Sequence, residues 1–213
     1  DEVTARVVAG LRALFDAPAA EIVLMSTGSS ANALALATMT PPFAAVYCHP
    51  ESHVNFDECG APEFYTGGAK LVPVEGQHAK MSVEALESAI TGAGVVHHVQ
   101  PAAVSVTQVT EAGTLYTLEE LRAISNICKR HELKLHMDGA RFANAIEALG
   151  CTPAACSHEL GVDALSFGAT KNGAMCAEAI LFFDPVLARE AGYRRKRAGH
   201  LFSKMRFLSA QFD

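Results

Sequence analysis

The sequence predicts an α/β fold, a mainly parallel sheet with helices on both faces. Three observations carry this. Seven strand-length apolar runs recur between longer helical patterns, and that alternation is the signature of a parallel sheet. The runs lack strict polar alternation, as strands covered on both faces do. With 213 residues, 50% hydrophobic and 19% charged, the chain has enough apolar content to offset the entropy lost on folding, which excludes a disordered or low-complexity scaffold.

In order, the strand candidates are Glu-Ile-Val-Leu-Met (21–25), Ala-Ala-Val-Tyr-Cys (44–48), Leu-Val-Pro-Val (71–74), Ala-Ala-Val-Ser-Val (102–106), Lys-Leu-His-Met (134–137), Ala-Leu-Ser-Phe (164–167) and Ala-Ile-Leu-Phe-Phe (179–183). Pro73 has no N–H to give a ladder, so the third is expected to be a short or edge strand. Thr117 with Glu120 has the Thr-x-x-Glu form of a capping box, and Leu118, Leu121, Ile124 and Ile127/Cys128 continue at helical spacing. Ser82 opens a second helix, with Leu86 and Ile90 on its stripe. Residues 1–6 read as the middle of a helix and residues 208–213 as stopping inside another, so the chain is expected to be cut at both ends. No linker, internal repeat or low-complexity tract divides it, and residues 1–213 are taken as one domain.

Lys+Arg at 17 against Asp+Glu at 23 gives a formal charge of -6, the wrong sign for nucleic acid or an anionic membrane, and small-molecule chemistry is the better fit. Two readings stand for the basic run Arg194-Arg195-Lys196-Arg197: a solvated helix face, or a cluster that holds a phosphate, even one of a neighbouring subunit. The six cysteines form no CxxC and no regular framework, as expected of reduced thiols, most of them small core residues, in a cytoplasmic protein. No apolar stretch approaches the roughly 18–20 residues that span a bilayer, and the N-terminus lacks a basic segment followed by an apolar one.

In open α/β sheets ligands sit beyond the carboxyl ends of the strands, so the residues after each run are the candidates. After the first run, Ser-Thr-Gly-Ser-Ser-Ala-Asn (26–32) leads into a helix; it is either a phosphate cradle of backbone N–H groups and hydroxyls or an ordinary Ser N-cap. It fits neither GxxxxGK[ST] nor GxGxxG, which disfavours nucleotide binding and a dinucleotide-dependent oxidoreductase. His49 and His53 have metal-like spacing, but Pro50 breaks a helix between them and no third ligand lies nearby. A single histidine that stacks on a flat cofactor or exchanges a proton fits better, beside the plainer reading of a loop residue. Asp138 ends a buried strand and needs compensation, from Arg141 three residues on or from a protonated ring nitrogen. Lys171 lies among small residues at another strand end, where burial would lower its pKa and make the amine nucleophilic, although a lone lysine is more often an exposed charge. Taken together, Gly28-Ser29, His53, Asp138 and Lys171 supply a phosphate cradle, a ring stacker, a pyridinium partner and a Schiff-base lysine, the parts of a pyridoxal phosphate site.

These segments, with Glu-Ser-His (51–53), Thr-Glu-Ala-Gly (110–113), His-Met-Asp-Gly-Ala-Arg (136–141) and Ser-Phe-Gly-Ala-Thr-Lys-Asn-Gly (166–173), resemble the low-specificity L-threonine aldolases, grouped with the β-eliminating lyases among the fold-type-I pyridoxal phosphate enzymes. The resemblance spans nearly the whole chain, and its Asp-Gly-Ala-Arg and Thr-Lys-Asn-Gly segments are the most specific. It implies that Lys171 holds pyridoxal 5'-phosphate covalently and that Asp138 pairs with the pyridine nitrogen. His53 would stack on the ring near the substrate's β-hydroxyl, and Arg141 would bind the α-carboxylate. Gly28, Ser29 and Ser30 would hold the phosphate, and Lys196 matches a basic position that reaches a phosphate across a subunit interface.

Where this chain has Glu111, some members of the family place a histidine, so the parts played by Thr110 and Glu111 stay open. The implied activity is cleavage of L-threonine or L-allo-threonine to glycine and an aldehyde, in a dimer of dimers. Two alternatives are weighed beside it: a phenylserine aldolase or related β-eliminating lyase, and a non-catalytic domain that keeps the fold for assembly. Against this family, residues 1–213 are expected to be the cofactor-binding large domain, without the N-terminal segment and the small C-terminal domain.

Overall fold

The computed structural model describes all of residues 1–213. One seven-stranded sheet forms its centre, in the order β1-β7-β6-β5-β4-β2-β3. The strands are β1 (Glu21–Met25), β2 (Ala44–Cys48), β3 (Lys70–Pro73), β4 (Gln100–Thr107), β5 (Lys134–Gly139), β6 (Ala164–Gly168) and β7 (Glu178–Phe182). Each falls on one of the seven predicted runs. Parallel pairing joins β3, β2, β4, β5 and β6, whereas β7 runs antiparallel to both of its neighbours, β6 and β1. Pro73 ends an edge strand that pairs only with β2, where its missing N–H costs no ladder bond.

The helices are α1 (Glu2–Leu14), α2 (Gly28–Met39), α3 (His53–Phe56), α4 (Ala61–Thr66), α5 (Val83–Ala89), α6 (Leu118–Arg130), α7 (Phe142–Leu149), α8 (Ala191–Arg197) and α9 (Arg206–Ser209). The capping box of α6 forms as predicted: Thr117 Oγ1 accepts from the Glu120 N–H, and the Glu120 carboxylate accepts from the Thr117 N–H. Ser82 caps α5 through the Ala85 N–H. The Asp1 side chain accepts from the Thr4 N–H at the start of α1, and α9 spans Arg206–Ser209.

Period-2 geometry divides the core into two faces. On β5, Leu135 and Met137 join the large cluster with Leu121, Ile124 and Ile127 of α6, Val7 and Leu11 of α1 and Phe142 of α7. His136 and Asp138 therefore point to the opposite face, the one crossed by α2. Every α2 residue from Ser30 to Ala37 is buried, because its alanines let the backbone lie close on the sheet. Leu34 and Leu36, almost wholly buried there, contribute roughly 1.5–3 kcal/mol each. This central helix aims its N-terminus at the carboxyl edge of the sheet.

Three of the six cysteines (Cys48, Cys128, Cys156) are core residues, while Cys59 and Cys176 are exposed, and all six are free. The prediction that most are buried is thus corrected to half.

Candidate active site

At the carboxyl edge of the sheet, a cavity of about 270 Å³ is lined by Ser26, Thr27, Gly28, Ser29, Asn32, His53, Asp138, Ala140, Thr170, Lys171, Met175, Cys176 and Glu178. The turn after β1, the N-terminus of α3, the end of β5 and the turn after β6 meet here, so the parallel topology brings together residues far apart in sequence.

Thr27, not a serine, caps α2, its Oγ1 accepting from the Ser30 N–H. The Gly28 and Ser29 N–H groups occupy the first two helical positions, where no carbonyl of the helix can reach them. No acidic residue lies in that first turn to offset the positive end of the helix dipole. Ser30 departs from the expectation. Its hydroxyl donates to the Thr27 carbonyl at 2.9 Å and is buried behind the turn, outside the cavity lining.

Asp138 is 2% exposed. Its Oδ1 accepts from the Ala140 N–H at 3.0 Å and its Oδ2 from Asn32 Nδ2 at 2.9 Å, and no cation of the chain pairs with it. The predicted alternative of a bridge to Arg141 does not form. Arg141 instead donates through Nη1 and Nη2 to the two carboxylate oxygens of Glu111, at 3.2 and 3.1 Å. Burial pushes the Glu111 carboxyl up, but the Arg141 hydrogen bonds and charge, with the charges of Lys171 and His53, hold it below the usual range. A buried carboxylate costs several kcal/mol to desolvate, so Asp138 facing an open cavity without a cation calls for a cationic N–H from a ligand.

His53 opens α3 and is half-buried. Its Nδ1 lies 2.9 Å from Glu58 Oε1, a bond that raises the His53 pKa, with further help from the charges of Glu58, Asp138 and Glu111. Glu58 is itself buried, and burial pushes its carboxyl up. His49 turns away, accepting the Glu51 N–H at its Nδ1.

Lys171 sits in a single 3₁₀ turn, Thr170–Asn172, and is exposed at the cavity mouth, without a hydrogen bond or salt bridge. The burial that the sequence argument expected for it is not found. Behind it stands Glu178, 5% exposed, whose carboxyl burial pushes up. Gly168 makes room there: a Cβ at that position would lie 2.8 Å from Ala140 Cα and from Glu178 Oε2. Lys196 is exposed on α8 and does not line the cavity; beside it Arg194 pairs with Glu190, and Arg195 donates to the Leu24 carbonyl. Thr110 is buried, its hydroxyl 2.6 Å from that of Thr114, as part of the loop's own framework.

Asn32, Glu58 and Glu178 carry the site's buried polarity and went unnoticed as site residues in the sequence. For Glu178 a signal existed: an antiparallel last strand brings its first residue, not its last, to the ligand edge.

The donor set fits pyridoxal phosphate. Free N–H groups at a helix N-terminus suit the phosphate, an unpaired buried carboxylate suits a protonated pyridine nitrogen, and an accessible amine suits the aldehyde. Fold and site together are those of the fold-type-I pyridoxal-phosphate-dependent enzymes. The family model "Beta-eliminating lyase" matches residues 1–211, and the chain belongs to that family. It is 45% identical over 210 residues to a low specificity L-threonine aldolase of Pseudomonas sp., covering 99% of this chain and 60% of that protein. A protein of the same description from Pseudomonas aeruginosa is 46% identical over 210 residues, with the same coverage of 99% and 60%. Among solved structures, threonine aldolase of Leishmania major superposes with a TM-score of 0.89 at 33% identity, over 99% of this chain and 60% of that one. The chain thus spans about 60% of the length of the curated relatives it matches.

Proposed function

We propose that residues 1–213 are the cofactor-binding large domain of an aldolase that cleaves L-threonine, L-allo-threonine or a related β-hydroxy-α-amino acid into glycine and an aldehyde. The observation that carries this reading is the buried Asp138 carboxylate, unpaired by any cation, at a cavity with Lys171 at its mouth. The names of the relatives support it. When bound, pyridoxal phosphate supplies an electron-withdrawing ring that stabilises negative charge at the substrate's Cα.

The chain's own residues do the rest. Lys171 would hold the cofactor through its amine, Gly28 and Ser29 would bind its phosphate, and Asp138 would keep its ring nitrogen protonated. Arg141 binds the substrate carboxylate, which takes the place of Glu111. His53 accepts the β-hydroxyl proton as the Cα–Cβ bond breaks, leaving the aldehyde carbonyl at Cβ. In the whole protein, a cytoplasmic homo-oligomer of the dimer-of-dimers kind would bring Lys196, exposed and remote from its own cavity, to a partner's phosphate. No helix is long and apolar enough to cross a membrane.

Borohydride reduction of the full-length protein with pyridoxal phosphate, followed by peptide mapping, tests the site, and the expected label is on Lys171. A label elsewhere overturns the assignment, and no violet-region aldimine absorbance on adding the cofactor would favour a non-catalytic assembly domain. Acetaldehyde released from threonine, measured against benzaldehyde from phenylserine, separates the two aldolase readings.

A further inference from the structure

Asn32, at the second turn of the central helix, donates through one amide nitrogen to two buried carboxylates: Glu58 Oε1 and Asp138 Oδ2, each at 2.9 Å. The amide is held in this orientation by its neighbours, because turning it over would set its carbonyl oxygen against two carboxylate oxygens. The cost is visible on the other side, where Asn32 Oδ1 is buried without a partner. The same Glu58 Oε1 lies 2.9 Å from His53 Nδ1, while His53 Nε2 makes no bond within the chain.

We propose that Glu58 is a positioning residue for the reaction proposed above: its Oε1 holds His53 with the proton on Nδ1 and leaves the Nε2 lone pair free to take the β-hydroxyl proton. An ionised Glu58 can only accept, so Nδ1 must donate to it and Nε2 is the basic nitrogen of the neutral ring. Asn32 keeps Glu58 from rotating and ties it to the carboxylate at the ring-nitrogen position, so base and cofactor anchor share one clamp. A buried, hydrogen-bonded carboxylate that fixes a histidine tautomer is a general device for a proton acceptor. The charged groups that face His53 are Glu58 on the segment after α3, Asp138 on β5 and Glu111 on the loop after β4, with Lys171 lining the same cavity.

The test uses full-length holoenzyme with ¹⁵N-labelled histidine, in which solid-state NMR reads the protonation of each ring nitrogen; the His53 signals are assigned with a His53→Gln variant. Wild type is expected to show Nδ1–H and bare Nε2 at pH above the His53 titration. In Glu58→Leu the ring should revert to the Nε2–H form preferred by an unconstrained histidine side chain. There kcat should fall about 10²-fold while KM moves by less than about threefold, with the cofactor still attached at Lys171. Glu58→Gln should keep Nδ1–H through its amide carbonyl but shift the His53 titration to lower pH. Retention of Nδ1–H in a folded Glu58→Leu protein overturns the proposal. If that variant does not fold, an unmoved titration midpoint in Glu58→Gln overturns it instead. The proposal rests on the aldolase reading for its base step only: absence of aldehyde release by wild type would remove that step, and the tautomer measurement would still decide whether Glu58 positions the ring.

Discussion

Two walls of the cavity contrast. Along the β5 wall, Asp138, Asn32, Glu58 and His53 are joined by bonds of 2.9 Å, and three of the four side chains are buried. Along the wall formed by the turn between β6 and β7, Lys171, Met175 and Cys176 are exposed, and Lys171 has no partner. The difference teaches which half of the chemistry a single chain organises in advance. On the proposed reading, ring-nitrogen recognition and proton transfer need fixed acceptors, which Asp138 of β5, held by Asn32 of the central helix, and His53, held by Glu58, would supply. A lysine that on the same reading would hold the cofactor by its aldehyde gains nothing from being locked in.

This contrast makes Lys171 a position where chemistry and stability separate. Lys171→Ala in the full-length enzyme should lower turnover by about 10⁴-fold or more and abolish the pyridoxyl label, yet shift the unfolding midpoint of the cofactor-free protein by no more than about 0.5 kcal/mol. A large loss of stability would break the contrast. Asp138→Asn should affect both quantities. Both of its oxygens accept N–H bonds, so an amide must turn a donor onto a donor, costing about 1–3 kcal/mol in thermal or denaturant unfolding, with turnover reduced about 10²-fold or more. Unchanged stability in that variant would show that the β5 wall is no more tied than the other.

Gly168→Ala probes the seam between the walls. Its Cβ would press on the Ala140 backbone at 2.8 Å, which cannot give way as a flexible side chain can, and a loss of about 1–3 kcal/mol is expected in the same unfolding measurements. The smallest expected effect is one of pH. His53 has its folded-state pKa raised above its ordinary 6.5, first by the Glu58 hydrogen bond. The stability it contributes is therefore fully present below 6.5 and is lost as pH rises through the raised folded value. Thermal scans of cofactor-free wild type should show a shallow decline over that window, which His53→Gln flattens; a rise instead would contradict the His53–Glu58 bond.

All seven strands were legible because doubly covered strands are short apolar runs, and the capping box and edge proline carry local signatures of their own. Lys171, Asp138, His53 and Gly28-Ser29 were legible because strand ends at one edge of a parallel sheet are where ligands bind. The clamp was not. Glu58 reaches His53 only because α3 ends after one turn and the chain folds back. Asn32 reads as a helix residue until β5 is placed beneath it. Glu178 escaped because a strand's last residues mark the ligand edge only when it runs parallel to its neighbours, and β7 runs backwards. Arg141 was expected to face either Asp138 or a substrate carboxylate, and the pairing with Glu111 depends on a loop whose path no spacing encodes.

The antiparallel β7 has a consequence for how the molecule comes into being. The strand that leads into the proposed phosphate cradle, β1, pairs with β7 alone, and its register is set by Met25 opposite Glu178 and Glu21 opposite Phe182. During synthesis β1 must therefore wait, unpaired and apolar, until β7 has followed it out of the ribosome. The loose end is also the interval in which a chaperone or a ready supply of cofactor would most affect how much of the protein reaches its native state.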